Sequence, residues 1–200
     1  MDNKSNNNSK VAGIMIIIVG VVIVTALIGF AYFTYRNNVV NFDPNRRAVA
    51  TRLFESVINT DLILDYPRTP QEVMRYWLDI SRLLQSGMIV NDELYPRLVT
   101  QMRYLLDDEL LRMNPFEEQL FMVLDTSYIF RQNQIMQTGW TQLTPLFYAD
   151  DPTVCYVRAS QSFNTGETVY WLFRLERVIP QNEWRIARFD RTDEEFNILH

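Results

Sequence analysis

The feature that most constrains this chain is an uncharged, apolar stretch near its N-terminus. The stretch runs from Val11 to Tyr35, consists mostly of Ile, Val, Leu and Phe, and is bordered by Lys10 and Arg36. As an α-helix it would reach about 37 Å, whereas the hydrocarbon core of a bilayer is about 30 Å thick. We therefore expect residues 11–35 to form a single transmembrane helix.

A cleaved secretory signal is the alternative interpretation of this stretch, because Gly29 and Ala31 offer small residues at a peptidase site. Signal cores are shorter, at about 7 to 15 residues, which favours a membrane anchor. Lys4 and Lys10 precede the stretch and arginines follow it, so the positive-inside rule does not decide the orientation. Large domains translocate with little regard to charge. We therefore expect a single-pass cell-membrane protein with a cytoplasmic N-terminus and an extracellular C-terminal domain.

The rest of the chain is long enough for one folded domain. The full chain has 200 residues, of which 48% are apolar and 13% aromatic, and this composition excludes a disordered chain. We predict a polar tail, the transmembrane helix, a tether, one α+β ectodomain and a C-terminal tail. Their bounds are 1–10, 11–35, 36–47, 48–191 and 192–200.

Charge and composition exclude several classes of partner. The net charge is −5, and acidic residues outnumber the arginines that follow Lys10, so the basic surface that nucleic-acid binding requires is missing. Cys155 is the only cysteine and His200 the only histidine. The chain therefore has too few ligands for an ordinary zinc site, and we expect no cofactor and no nucleic-acid partner.

Apolar residues at three- and four-residue spacing predict four helices after the tether. The predicted bounds are 45–59, 70–86, 92–113 and 114–131. The clearest signal is a capping box at the second helix, with Thr69 as N-cap, Pro70 in the first turn and Glu72 three residues after the cap. Gly87 is predicted to end that helix, and Asn114 to cap the fourth.

After Gln137 the apolar spacing changes to two, which predicts strands. The four predicted strands are 139–148, 153–163, 167–179 and 183–190. Their short connections require antiparallel neighbours, since a parallel pair needs a long crossover. In the third strand, alternation predicts one apolar face, formed by Val169, Trp171, Phe173 and Leu175. The fold class is therefore α+β, with three to four helices packed on a curved four-stranded antiparallel sheet.

This order of elements resembles the cone-shaped domains similar to nuclear transport factor 2, also described as cystatin-like. Two segments, Leu64–Val73 (LDYPRTPQEV) and Leu105–Leu111 (LLDDELL), are similar to the hallmarks of an uncharacterised family of membrane-anchored proteins from clostridial Gram-positive bacteria. The resemblance implies a short cytoplasmic tail, one membrane span and an outward-facing domain of unknown role. It brings no catalytic residues with it.

The residues that usually carry catalysis do not form a recognisable set here. Acyl transfer needs a base, and His200 is the last residue of the chain. Cys155 alternates with apolar residues in a predicted strand, which indicates a packed side chain. The acidic run 107–109 is typical of a solvated helix face, and Asp150-Asp151 of a turn. We therefore expect no enzymatic activity.

The strand half nevertheless contains a candidate pocket or partner surface of four aromatic residues and three arginines. These residues are Trp140, Tyr148, Tyr156, Tyr170, Arg158, Arg174 and Arg188. The aromatic residues fit either a pocket for an apolar ligand or the core between sheet and helices. The arginines fit either an anion-binding row across the sheet or cross-strand ion pairs with Glu176 or Asp190.

Two functions remain open at this point. The first is a membrane-tethered extracytoplasmic binding or assembly module that contacts another envelope protein or a second copy of itself. The alternative is a small-ligand sensor or enzyme that uses the cavity of a cone-shaped domain. A filled core with an exposed apolar patch would favour the first function, and a deep cavity containing a carboxylate of raised pKa would favour the second.

Overall fold

The computed structural model describes residues 44–86, 89, 91–143, 145–148 and 150–199, with the side chains of 44–47 and 146–148 excepted. The predicted polar tail, transmembrane helix 11–35 and Gly87 lie outside these residues. None of the helices within the described part has the length and apolar character needed to span a bilayer.

The described residues form an α+β domain in which helices precede the strands. The α-helices are α1 (Pro44–Asn59), α2 (Pro70–Leu84), α3 (Tyr95–Tyr104), α4 (Asp108–Met113) and α5 (Phe116–Gln132), and a 3-10 turn at Asp92–Leu94 leads into α3. The strands are β1 (Gln137–Gln142), β2 (Leu146–Tyr148), β3 (Asp151–Phe163), β4 (Thr168–Val178) and β5 (Glu183–Thr192).

The strands form one antiparallel sheet in the order β1-β3-β4-β5, and β2 also pairs with β3. β1 pairs with the C-terminal part of β3 and β2 with its N-terminal part, so these two short strands together occupy one position. With β1 and β2 counted as one position, the sheet is four strands wide and antiparallel, which confirms the prediction. The predicted first strand is broken near Pro145, which has no N–H for the ladder.

One face of the sheet carries the core. Val169, Trp171, Phe173 and Leu175 are all buried, as the alternation in β4 predicted. Helix α2 packs against β1, β3 and β5 and buries most of its length, and Trp77 contacts the sheet through Phe173. We call this helix-facing side the inner face and the opposite side the outer face.

The capping box at α2 is confirmed. The backbone N–H of Glu72 donates to the Thr69 hydroxyl at 3.2 Å, and the Glu72 carboxylate accepts from the N–H groups of Thr69 and Arg68 at 3.1 and 2.9 Å. The bond from the Arg68 backbone contributes most to a lowered pKa of Glu72. A local sequence signal therefore fixes the start of the helix that contributes more core residues than any other described helix.

The prediction of one continuous helix over 92–113 is wrong. The chain leaves α3 at Leu105 and forms a parallel bridge with β5, in which the Asp107 N–H donates to the Ile186 carbonyl at 3.0 Å and the Ile186 N–H donates to the Leu105 carbonyl at 2.8 Å. Asp107 then accepts from the Leu110 N–H at 2.7 Å and begins α4. Asp107 is therefore a helix cap, not part of a solvated helix face.

The predicted cap of the last helix is also wrong. α5 begins after Pro115 without a side-chain cap, and the Asn114 amide donates to the Leu110 carbonyl at 2.9 Å. Asn114 therefore closes α4 instead of opening α5. The predicted end of this helix near Arg131 is confirmed within one residue.

Candidate functional site

A cavity of about 460 Å³ lies between α2, α5 and the inner face of the sheet. Its floor consists of four buried aromatic residues: Trp77, Trp171, Phe173 and Phe189. Phe189 lies 6.0 Å from both Trp77 and Phe173 and 6.5 Å from Trp171, measured between ring centroids. Four packed rings give the cavity a rigid apolar base.

Helix α5 is most deeply buried at its C-terminal end, and the cavity lies under its N-terminal half. Its buried residues, Thr126, Ser127 and Phe130, all lie in its C-terminal half. The Ser127 hydroxyl donates to the Leu84 carbonyl of α2 at 2.9 Å, a contact that small side chains allow. In the N-terminal half Val123 is only half-buried and Phe121 is 68% exposed. That half lies over the cavity instead of filling it.

The wall of the cavity contains a short polar chain. The Trp171 indole N–H donates to the Gln161 side-chain oxygen at 2.9 Å, and the Gln161 amide donates to the Ser81 hydroxyl at 3.3 Å. Gln85, at the end of α2, also lines the cavity and is 7% exposed. Its side-chain oxygen is buried and accepts no hydrogen bond from any residue that the structure describes.

The mouth of the cavity is acidic. The exposed residues on its lining are Glu117, Glu118 and Phe121, all near the start of α5. Among the described lining residues there is no arginine, lysine or histidine. The site is thus an apolar chamber with a few neutral polar groups and a negative rim.

Two carboxyls whose pKa is raised, Asp79 and Asp107, lie outside the cavity lining. Burial raises the pKa of Asp79, although Arg75 and Arg82 oppose the shift, and burial likewise raises the pKa of Asp107. Neither carboxyl lines the cavity. Burial also raises the pKa of Cys155 to about 12, so this thiol stays protonated and packed in β3, as the strand pattern predicted.

A second, polar groove of about 540 Å³ lies between α1 and α2 and contains much of the Leu64–Val73 segment. Its walls carry charges of both signs, among them Arg68, Arg75 and Asp79. The Tyr66 hydroxyl donates to the Trp184 carbonyl at 2.8 Å, which ties the segment to β5. Within this segment, capping accounts for Thr69 and Glu72, and packing or tertiary contact accounts for Tyr66, Pro70 and Val73.

The structure separates the seven residues that the sequence singled out. Trp140 pairs with Gln161 of the inner face, so it lies on the helix side, where its side chain hydrogen-bonds to Asp79. Tyr148 is in β2, and its side chain lies outside the described ones. The other five are on the outer face: Tyr156, Tyr170, Arg158, Arg174 and Arg188. None of the six whose side chains are described lines the cavity.

Two of the outer-face arginines have carboxylate partners. Arg174 and Arg188 are directly opposite in the β4–β5 register. Arg174 forms an ion pair with Glu176 at 2.8 Å, and Arg188 forms one with Asp190 at 2.8 Å. Each pair lies along one strand, whereas the alternative interpretation placed it across strands. The partners themselves are those that the sequence indicated.

The C-terminal residues 193–199 fold back over the outer face. The Leu199 N–H donates to the Arg191 carbonyl at 3.0 Å, and a bridge joins Thr192 to Ile198. The Phe196 ring lies 5.7 Å from the Tyr170 ring, and the Arg158 guanidinium lies 5.2 Å above the Phe196 centroid. The predicted C-terminal tail therefore covers part of the candidate surface.

Sequence reasoning missed the cavity residues on α2 and α5. A usable signal was present in α5, where the five consecutive residues 120–124 are all apolar. A helix with a single buried face carries apolar residues only at three- and four-residue spacing. An unbroken apolar run therefore indicates that more than one side of the helix faces apolar surroundings.

Comparison with known proteins places the chain in a family. No curated protein and no solved structure matches it. A family model described as "Domain of unknown function (DUF6715)" matches residues 1–189. The matched range includes the apolar stretch 11–35, the segments 64–73 and 105–111, and all of the described residues that line the cavity. The chain therefore belongs to the DUF6715 family.

Proposed function

We propose that this protein is a membrane-tethered, extracytoplasmic binding module whose site is the cavity beneath α5. The observation that carries the proposal is an apolar chamber of about 460 Å³ inside an otherwise packed core. Ligand sites in proteins are typically apolar clefts of about 300–1,000 Å³ with a few polar groups. The occupant is a small apolar or aromatic molecule.

Binding, and not catalysis, is what the described wall supports. General acid–base work needs a titratable group in contact with the substrate, and nucleophilic catalysis needs an activated nucleophile. The charged residues on the lining are Glu117 and Glu118, both exposed at the mouth. The sequence left open an assembly module and a small-ligand sensor or enzyme. The cavity favours small-ligand binding, and the residues of its wall favour binding without chemical change of the ligand.

The membrane tether in this proposal rests on residues 11–35. Their length and lack of charge suit a bilayer, and the family match includes them. Origin in clostridial Gram-positive bacteria, an outward-facing domain and kinship with cones similar to nuclear transport factor 2 belong to the same proposal. The order of helices followed by an antiparallel sheet, with a cavity between the layers, supports that kinship of shape.

Equilibrium dialysis of naphthalene probes against the full chain tests the binding function. Detergent micelles at equal concentration on both sides cancel the partition of probe into micelles. We expect a Kd of about 10 μM to 1 mM for 2-methylnaphthalene, which corresponds to about 0.4 to 0.6 kcal/mol for each of its 11 heavy atoms, well below the ceiling of about 1.5 kcal/mol per atom for small ligands.

A cavity-filling variant supplies the specific control. Val123→Trp places an indole in the space under α5 and should weaken binding at least about tenfold, since the volume available to the probe is largely lost. Tyr128→Trp adds the same residue on the exposed side of α5, away from the lining, and should bind as the wild type does. Equal binding by wild type and Val123→Trp would refute the cavity as the site.

Assembly remains a second candidate function, favoured by one observation. Phe121 and Tyr128 lie two turns apart on α5 and are 68% and 56% exposed. A helix-helix contact between two copies would cover such a stripe. Because Cys155 is buried, Tyr128→Cys carries a single accessible thiol among the described residues. Oxidation of this variant in membranes should give a disulfide-linked dimer, and monomer alone would remove this candidate.

A further inference from the structure

Gln85 is a buried polar residue at the end of α2 whose side-chain oxygen has no hydrogen-bond partner in the part of the chain that the structure describes. Its backbone is fixed at both ends, because its N–H donates to the Ser81 carbonyl at 3.0 Å and its carbonyl accepts from the Gln137 N–H at 3.1 Å. The side chain lines the cavity, and its buried oxygen accepts no hydrogen bond from the described residues. A buried carboxamide oxygen without a partner is destabilising.

The other neutral polar side chains of the wall contrast with Gln85. Gln161 uses both ends of its amide, toward Trp171 and Ser81. The hydroxyls of Ser127 and Thr126 donate to main-chain carbonyls at 2.9 and 2.7 Å. Unlike these three side chains, Gln85 has a buried side-chain oxygen without a partner among the described residues, so its amide has hydrogen-bonding capacity left for a bound molecule.

The charge of the cavity restricts the ligand further. The described lining has no cationic side chain, and Glu117 and Glu118 stand at the mouth. A carboxylate entering this chamber would lose its hydration without gaining a cation and would pass two negative charges. Met102, Met113 and Met122 add soft, adaptable apolar surface, which suits an apolar body of variable shape.

We infer that the ligand is an uncharged, mostly apolar molecule with one hydrogen-bonding group, such as a phenol, an alcohol or a carboxamide, held against the side-chain amide of Gln85. This inference rests on the proposed binding function and names the chemical class that the site takes. Rotation about the last side-chain torsion lets Gln85 present either its oxygen or its nitrogen, so a hydroxyl is a suitable partner in both cases.

Three probes with the same ring body separate the contributions. These are 2-naphthol, 2-methylnaphthalene and 2-naphthoate, dialysed against the full chain with equal micelles on both sides. In the wild type 2-naphthol should bind about fivefold more tightly than 2-methylnaphthalene, the effect of one neutral hydrogen bond, although the methyl compound is the more apolar. The naphthoate anion should bind at least about tenfold more weakly than 2-naphthol.

Gln85→Met keeps the length of the side chain and removes its amide. In this variant the order should reverse, so that 2-methylnaphthalene binds more tightly than 2-naphthol, because only apolar contact remains. Because Gln85 lines the cavity, the order of the two probes, and not the absolute affinity, is the readout. Tighter binding of 2-methylnaphthalene by this variant than by Val123→Trp shows that the cavity is intact in the variant.

The outcomes distinguish a failure of this inference from a failure of the proposed binding function. If 2-methylnaphthalene binds the wild type as tightly as 2-naphthol and Val123→Trp abolishes both, the inference is overturned and the binding function stands. The inference alone is likewise overturned if Gln85→Met keeps the preference for 2-naphthol, or if 2-naphthoate binds as well as 2-naphthol. If the wild type binds none of the three more than Val123→Trp does, both proposals are overturned.

Discussion

Single residues decide where helices start and which carboxyls have a raised pKa in this domain. Asp79 is half-buried on α2, and burial raises its pKa more than Arg75, Arg82 and the hydrogen bond from Trp140 lower it. A carboxyl with a raised pKa opposes folding once it is ionised. Asp79 therefore makes the stability of the domain depend on pH.

Asp79→Asn should remove this dependence. Because the folded-state pKa of Asp79 lies above the ordinary value of 3.8, its stabilising contribution is complete below that pH and is lost as the pH rises through the raised pKa. The free energy of unfolding of the variant should therefore gain on the wild type as the pH increases. Urea unfolding of the full chain in micelles, followed by tryptophan fluorescence from pH 3 to 7, measures the difference. If the free energies of unfolding of the two proteins changed in parallel with pH, the raised pKa of Asp79 would be contradicted.

Thr69 provides a second prediction at the residue scale. Thr69→Ala removes the hydroxyl that accepts from the Glu72 N–H and should lower the free energy of unfolding by about 1 kcal/mol. Thr69→Ser keeps the hydroxyl and should change it by less than about 0.5 kcal/mol. Denaturation midpoints of both variants at pH 7 provide the comparison, and equal losses would exclude the cap as the cause.

At the scale of elements, α5 is tied to two helices: its C-terminal half to α2 through Ser127, and its N-terminal half to α3 through Gln119, which accepts from Arg103 at 2.8 Å. Ser127 is 1% exposed and donates to the Leu84 carbonyl, while its neighbour Tyr128 faces solvent. The Ser127 contact holds the C-terminal end of α5, and the N-terminal half lies over the cavity. The position of the cavity therefore follows from how α5 meets α2 and α3.

Ser127→Ala tests this contact. Loss of the hydroxyl leaves a buried carbonyl without its donor and should lower the free energy of unfolding by about 1 to 2 kcal/mol. Tyr128→Ala, one residue further on, should change it by less than about 0.5 kcal/mol because its side chain is exposed. Urea denaturation of the two variants distinguishes them, and similar losses would show that α5 is held by other contacts.

Local signals predicted the elements that local chemistry determines. The capping box set the start of α2, and alternation set the buried face of β4. The break between α3 and α4 was not predictable in this way, because it depends on hydrogen bonds to Ile186, about eighty residues later. The cavity was missed for the same reason, since residue spacing does not say how far a helix stands from a sheet.

At the scale of the whole molecule, we propose a membrane anchor followed by one domain, with a chamber between the helical layer and the sheet of that domain. Lys4, Lys10 and the N-terminal amine are the only amines in the chain. An impermeant amine reagent applied to intact cells should therefore leave the protein unlabelled if the N-terminus is inside. Carbonate washing should leave the full chain in the membrane. Labelling would overturn the orientation, and release of intact chain would overturn the anchor.

The most direct measurement is the position of a heavy-atom ligand in crystals of the full chain. Anomalous diffraction from crystals soaked in 6-bromo-2-naphthol locates the bromine without reference to affinity. The account predicts a bromine peak inside the chamber, between the aromatic floor at Trp77 and the N-terminal half of α5, and no such peak in Val123→Trp. Bromine found only on the outer face or at the protein surface would contradict it.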